Sequence, residues 1–477
     1  MSNETQSQAM QRVCALLDEG SFVEIGAGVT ARSTDFNLTQ KQTPSDGVIT
    51  GYGVIDGGLV YIYSQDASVL GGSVGEMHAG KIVNLYRLAM KTGAPVIGLL
   101  DCAGLRLEEA ADALHGFGRI YMAQTEASGV IPQITGIFGM CGGGMAMIPA
   151  LTDFTLMEKS GKLFVNSPNA LEGNIDSKCD TASAAFQSEE AGLVDFTGSE
   201  GEVLSEIRRL VSMLPANNED DMAYGECGDD LNRAIPDLAA CSLDPILMLQ
   251  RISDNQSYFE VKPAYGRDMV TALIRLGGYT VGAVANRSVL YDSEGGEAEK
   301  FDGALSARGA KKAAEFIRFC DAFSIPVVSF TNVKNYKATK CSEANMAKAV
   351  AKLVYAFADA TTPKVNVITG FAYGSAALAM NSKAIGADLV YAWPEAKIGM
   401  MDSGAAAKIL YADQGSQVIR EKTEEYEKLQ NSLDASLRRG YVDTLIHPED
   451  TRKYLIGAFE MLFSKREARP DKKHGTV

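Results

Sequence analysis

The sequence predicts an α/β chain that uses one βα-rich domain twice, and three observations predict it. Four short apolar runs read as buried strands, two in each half. The helix, strand and glycine turn of the first half recur at the same spacing in the second. An acidic, polar stretch separates the halves.

In the first half KIVNLYRLAMKTG has apolar residues at helical spacing and leads into the strand APVIGLLD (94–101). A second strand, IPQITGIFG (131–139), follows it. The second half offers the helix KAAEFIRFCDAFSI, then the strands IPVVSFTN (325–332) and PKVNVITG (363–370). Lys81 and Pro95 are 14 positions apart, as are Lys312 and Pro326. Pro95 and Gly143 are 48 apart, as are Pro326 and Gly374. Chance seldom keeps three features at one offset, so the spacing predicts an internal duplication. The domains are expected at 1–235 and 236–477. NNEDDMAYGECGDDLNRAIPD (217–237) reads as the linker between them. REKTEEYEKLQNSLDASLRRG (420–440) reads as an exposed helix.

Bulk composition excludes several classes. A chain of 477 residues, 46% hydrophobic and 22% charged, has the make-up of a globular protein with a large core. Its net charge of -15 argues against nonspecific binding to nucleic acid or anionic membrane. An anionic ligand therefore needs a local basic patch. Eight cysteines without a CxxC pair and four histidines without HExxH point away from a metal site and towards reduced thiols in the cytoplasm. The opening MSNETQSQAMQR lacks an apolar signal core. The greasy run 134–151 is interrupted by glycines and by Pro149, and reads as a buried strand, loop and helix rather than a membrane span.

Three motifs compete for a function. GEMHAGKI (75–82) nearly matches a phosphate-binding loop, but Ile82 stands where a magnesium-holding hydroxyl belongs, and nucleotide hydrolysis is rejected. GGSVG (71–75) matches a serine nucleophile elbow, with His78 or His115 as partner, yet no acid follows in a convincing order. CGGGMAM and AYGSAALAM fare better. Each ends an apolar strand in small residues and opens a helix, whose first N–H groups can meet developing negative charge. Close packing of helix on strand explains one such glycine run equally well. Two in register favour a pair of oxyanion holes, whose partner loops come 48 positions earlier at DCAGLR (101–106) and NVKNYK (332–337).

With these segments in view, the chain resembles the carboxyltransferase (beta) subunits of biotin-dependent acyl-CoA carboxylases and the methylmalonyl-CoA decarboxylase alpha subunits. The resemblance covers nearly the whole chain. It runs through LLDEGSFVEI, DGVITGYGVI, SQDASVLGGSVGEMHAGKI, SGVIPQITGIFGMCGGGMAMIPALTDF, FEVKPAYGRDMVTALIRLGG, ADLVYAWPEAKIG, GYVDTLIHP and DKKHG. It implies two duplicated crotonase-like (ββα spiral) domains, usually assembled as a hexamer, and carboxyl transfer between carrier-borne biotin and a short acyl-CoA. The acyl-CoA would be propionyl- or acetyl-CoA, with methylmalonyl- or malonyl-CoA as its carboxylated form.

The resemblance further implies that Gly104 or Leu105, with Gly143 or Gly144, hold the thioester oxygen. Backbone around Lys334, Ser375 and Ala376 would hold the ureido oxygen of biotin. Ala103, Gly142, Tyr373, Gly374 and Leu378 would line the substrates. Both partners would react through enolates held in the two holes, with no protein base and no bound metal. Arg106 has two equal readings, a CoA-phosphate ligand or a surface ion pair. The implied partners are a biotin carboxyl carrier protein and either a biotin carboxylase or membrane decarboxylase subunits. Any membrane association would run through those partners.

The second half departs from the family pattern. Val333, Lys334, Asn335 and Tyr336 replace a VPGF-like loop, and Ser375 and Leu378 replace a glycine and an acidic residue. Three alternatives therefore stand: a sodium-pumping biotin-dependent decarboxylase subunit, a biotin-independent hydratase using Glu108 or Glu109, and a structural subunit with a decayed second hole.

Overall fold

Each half of the chain is organised by a sheet that begins as an antiparallel hairpin and continues as a parallel array. The computed structural model describes residues 6–33, 42–220 and 224–477, and they divide into two units, Met1–Ala223 and Tyr224–Val477. Residues 1–5 of the polar N-terminus and 221–223 of the acidic stretch lie outside the described residues.

The first sheet contains β1 (Val23–Glu24), β2 (Val48–Ile55), β3 (Gly58–Gln65), β4 (Val96–Cys102), β5 (Gln133–Gly142), β6 (Phe154–Glu158), β7 (Lys162–Phe164) and β8 (Phe196–Gly198). Their order is β1-β2-β3-β4-β5-β6-β8, with β7 beside the far end of β5. β1 to β3 pair antiparallel, and every later pair is parallel. Asp56 and Gly57, at φ 50° and 83°, close the β2–β3 hairpin in the left-handed turn that suits strand twist.

The second sheet repeats this plan. It contains β9 (Tyr258–Val261), β10 (Met269–Leu276), β11 (Tyr279–Asn286), β12 (Val327–Val333), β13 (Lys364–Tyr373), β14 (Leu389–Ala392), β15 (Lys397–Gly399) and β16 (Thr444–Leu445). The order is β9-β10-β11-β12-β13-β14-β16, and β15 lies beside β13 as β7 does beside β5. Here Gly277 and Gly278 make the hairpin turn. The four strands expected from apolar runs are β4, β5, β12 and β13, buried along most of their length as parallel strands must be.

Helices cover the sheets. α1 (Glu76–Thr92) buries Ala79, Ile82, Leu85, Tyr86 and Ala89 on one face, and Gly93 ends it at φ 62°. α2 (Ala110–Ala127) packs on α1, and Phe117 and Ile120 join Val96, Leu100 and Ile137 in the first core. Each such apolar side chain contributes about 1.5–3 kcal/mol when fully buried. α3 (Ala307–Ala322) and α4 (Lys340–Asp359) are the matching pair in the second unit. The repeated lysine is buried in both units. Lys81 Nζ donates to the carbonyls of Ser45 and Val48, and Lys312 Nζ to those of Lys262, Tyr265 and Met269.

Two expectations need adjusting. The boundary expected at 235/236 falls inside the second unit, because Gly225 N–H bonds to Gly278 O and Ile235 is buried in the second core. The segment 420–440 is not one exposed helix. It forms a helix to Tyr426, a π-helical turn Glu427–Asn431, a break at Ser432 and a short helix Leu433–Arg438. Asn431 and Ser436 are buried there, so a packing face hides within a strongly charged sequence. Among the described residues no helix is long and apolar enough to cross a membrane.

Candidate active site

The first candidate site lies where β4 and β5 leave their sheet. The two strands run in register to Leu100 and Ile137, then slip, so that Cys102 pairs with Cys141. Beyond the slip the chain opens into two glycine loops. Gly104 sits at φ 108°, and a side chain built there would first meet Gly142 O, 3.9 Å away. Gly143 sits at φ 63° with nothing within 4 Å of its side-chain position. Gly144 is exposed, and its carbonyl accepts a bond from Tyr121. The turn Gly143–Ala146 starts here, so its leading N–H groups have no partner within it.

A bridge to Val74 fixes the other loop. Val74 N–H donates to Gly104 O, and Arg106 N–H donates to Val74 O, both at 2.9 Å. Parallel pairing of this kind turns the intervening Leu105 N–H away from Val74. Gly104 N–H instead approaches Cys102 Sγ at 3.3 Å, which leaves Leu105 the better donor of the two. Burial pushes the Cys102 thiol up to about 11 and raises that of Cys141 as well, so neither is a thiolate nucleophile. Gly142 is required by packing, since a side chain there would strike the Phe164 ring at 2.7 Å.

The second unit builds the same site with different side chains. β12 and β13 slip after Thr331 and Ile368, and Val333 then pairs with Ala372. Gly374 follows at φ 61°, where a side chain would lie 3.1 Å from Met400 O. Ser375 is exposed and Ala376 is buried. Tyr373 is buried beside them, and burial, helped by Glu427 and Asp402, pushes its phenol up to about 12.

Lys334 is not the amide donor that the sequence suggests. Its N–H bonds to Gly303 O at 2.8 Å, as Ala103 N–H bonds to Gly71 O at 2.9 Å in the first unit. The residues in the places of Gly104 and Leu105 are Asn335 and Tyr336, held by pairing with Ala304 and Leu305. The duplication already encodes this correspondence, because the offset linking Lys81 to Lys312 also links Leu105 to Tyr336. Lys334 instead lays its ammonium over the Phe371 ring, 4.4 Å from the centroid. Leu378 is 47% exposed and borders a cavity of about 460 Å³, walled by Ile368, Ala372, Val390 and Ile398 with Arg439 at its edge.

Arg106 serves neither of its two expected roles. It is 1% exposed, and its guanidinium bonds Asp46 Oδ1 at 2.6 Å, Glu109 Oε1 at 2.7 Å and Ser73 O at 2.7 Å. Longer contacts to Ser73 Oγ and Asp46 O occupy the remaining donors. No N–H is left for a phosphate. The other rejected motifs dissolve in the same cluster. Ser73 Oγ bonds Leu70 O, and His78 is fully buried, held near pKa 3 by burial and by Arg106. His115 lies exposed on α2. Among the described residues no group of three or more His, Cys, Asp or Glu is arranged to hold a metal.

Comparison with known proteins identifies the family and the fold. The carboxyl transferase domain model matches residues 3–477. The methylmalonyl-CoA decarboxylase subunit alpha of Veillonella parvula is 40% identical over 482 residues, spanning 98% of this chain and 92% of that protein. The propionyl-CoA carboxylase beta chain of Roseobacter denitrificans is 37% identical over 484 residues, spanning 98% and 93%. Among solved structures, the transcarboxylase 12S hexamer assembly with hydrolysed methylmalonyl-coenzyme A bound aligns with a TM-score of 0.92. It is 35% identical and covers 99% of this chain and 92% of its own. The fold is therefore the doubled crotonase-like α/β fold expected from sequence.

Proposed function

The chain belongs to the carboxyl transferase domain family, and on that footing we propose that it moves a carboxyl group between biotin carried on a partner protein and a short acyl-CoA. The observation that carries this reading is the matched pair of glycine loops, Gly143 at φ 63° and Gly374 at φ 61°, each beside a fixed partner loop. Biotin supplies the carboxyl group and, once relieved of it, a basic ring nitrogen for the α-proton. The first site holds the thioester oxygen with the N–H of Leu105 and that of Gly143 or Gly144. The second holds the ureido oxygen with the N–H groups of Tyr336, Ser375 and Ala376. One such donor is typically worth about 2.7–4 kcal/mol of transition-state stabilisation. A side chain at Gly374 would press on Met400 O at 3.1 Å.

Charge follows from the same layout. With Arg106 buried, Lys178 and Lys162, the latter paired with Asp180 at 2.6 Å, are the cations for CoA phosphates; both border a cavity of about 710 Å³ that also includes Phe164, Met140 and Asp180. Lys334 adds positive charge at the second mouth. The relatives, named as subunits and chains of larger enzymes, support partners of the same kind. The chain works with a biotin carboxyl carrier protein and a biotin carboxylase, in the cytoplasm, and assembles with copies of itself as a hexamer. A second reading is the equivalent subunit of a methylmalonyl-CoA decarboxylase with membrane partners; the 40% identity to such a subunit supports it no more than the 40% identity to a Bacillus subtilis putative propionyl-CoA carboxylase beta chain supports the first. A hydratase reading that uses Glu109 as its base loses support, because Glu109 is 3% exposed and bound to Arg106 and to Glu76 N–H.

The test incubates the purified chain with malonyl-CoA or methylmalonyl-CoA, with and without free biotin. Biotin-dependent loss of the carboxylated thioester is expected, and the faster substrate names the acyl class. No loss of either, in protein that still binds CoA, contradicts the reading.

A further inference from the structure

We infer that the Ser375 hydroxyl, oriented by Tyr336, is an additional hydrogen-bond donor to the ligand oxygen of the second site; the inference rests on the assignment of that site to the ureido ring. The two side chains come from loops 39 positions apart and meet in one bond, Tyr336 Oη–H to Ser375 Oγ at 3.0 Å.

A hydroxyl that accepts a bond at its oxygen still has its own proton to place. The phenol is the more acidic partner and donates, so the Ser375 proton is directed away from Tyr336. Ser375 is exposed, and its main-chain N–H already belongs to the donor set of the site. Accepting from Tyr336 also polarises the Ser375 O–H and strengthens the bond that it gives. Ser375 would touch the ligand; Tyr336 is a positioning residue acting through it.

The first site has no such pair. Leu105 and Gly144 stand at the corresponding positions, and the nearby phenol, Tyr121, donates to the Gly144 carbonyl instead. The asymmetry suits the two ligands. A ureido oxygen, flanked by two nitrogens, is a stronger acceptor than a thioester oxygen and gains more from another donor. The thioester lies beside the carbon that must stay open to receive a carboxyl group.

The experiment measures initial rates of biotin-driven loss of the carboxylated thioester over a grid of free biotin and thioester concentrations. The proteins are the unmodified chain, Tyr336→Phe, Ser375→Gly, Ser375→Thr and the double variant Tyr336→Phe/Ser375→Gly. Each of the first two changes is expected to lower kcat roughly threefold to tenfold, the effect of one hydrogen bond. The thioester KM stays unchanged, Ser375→Thr keeps most of the rate, and the double variant is no slower than Ser375→Gly. A Tyr336→Phe rate equal to the unmodified one overturns the inference, as does a faster Ser375→Gly enzyme or a fully additive double variant. If the unmodified chain shows no biotin-dependent loss, the assignment of function fails and the inference falls with it; the failures are told apart by which protein is inactive.

Discussion

Gly143 and Gly374 occupy one structural position in two units. Each directly follows a ten-residue parallel strand, β5 or β13, and each takes a left-handed conformation, at φ 63° and 61°. That conformation costs a residue with a side chain roughly 1–2 kcal/mol, so alanine there shifts the turn or strains it. Gly143→Ala meets no neighbour, whereas Gly374→Ala also presses on Met400 O. Both variants are expected to keep the fold and to lose about a hundredfold to a thousandfold in kcat, the typical effect of losing one oxyanion donor. Steady-state rates with matched thermal melts check this; a variant that melts normally and turns over normally removes that loop from the mechanism.

Arg106 predicts a stability phenotype rather than a binding one. Removing the guanidinium leaves Asp46 and Glu109 buried and unpaired, beside the start of α1. Arg106→Met should therefore lose about 3–5 kcal/mol of stability, seen as a lowered urea midpoint. A variant of unaltered midpoint with a raised KM for acyl-CoA would restore the phosphate role.

The buried lysines make stability pH-dependent. Burial lowers Lys312 from 10.5 to about 7, and Lys81 from 10.5 to about 8. Below pH 7 both folded and unfolded chains hold these protons. Between about 7 and 10.5 the unfolded chain holds them and the folded chain releases them, so stability rises with pH across that window. The urea midpoint of the unmodified protein is expected to rise from pH 7 to pH 9, and to rise less in Lys312→Met. Equal slopes in the two proteins would show that the three carbonyl bonds keep Lys312 charged throughout.

The contribution expected of Lys334 is its ammonium, because its main-chain bond to Gly303 survives any substitution but proline. Lys334→Met is expected to raise the KM for free biotin, an anion, with no change for acyl-CoA. The effect should fade as salt rises, since exposed charges are screened over about 10 Å at 0.1 M. A salt-independent change would point to the lost contact with Phe371 instead.

Much of the architecture was legible because the duplicated helices and strands carry their own periodicity, and Pro95, Pro326, Gly143 and Gly374 punctuate both copies alike. The loops were harder to read. Whether Lys334 N–H is available depends on Gly303, which lies in a segment without regular pattern. Arg106 looks like a surface residue beside a turn until Asp46, sixty positions earlier, is brought against it by the pairing of the Val74 and Leu105 segments. The fate of 420–440 turned on Asn431, whose amide reaches Met401 O from inside a charged helix. Long-range contacts decided each case, and local composition does not record them.

In the proposed mechanism the two units divide the labour, with the thioester held at Gly143 and the biotin ring at Gly374. Calorimetric titration of a non-reactive acyl-CoA into the unmodified chain, Gly143→Ala and Gly374→Ala tests it most directly. Weakened binding is expected in Gly143→Ala alone, with Gly374→Ala indistinguishable from the unmodified protein. Weakened binding in Gly374→Ala, with Gly143→Ala unaffected, would contradict it by placing the thioester in the other unit.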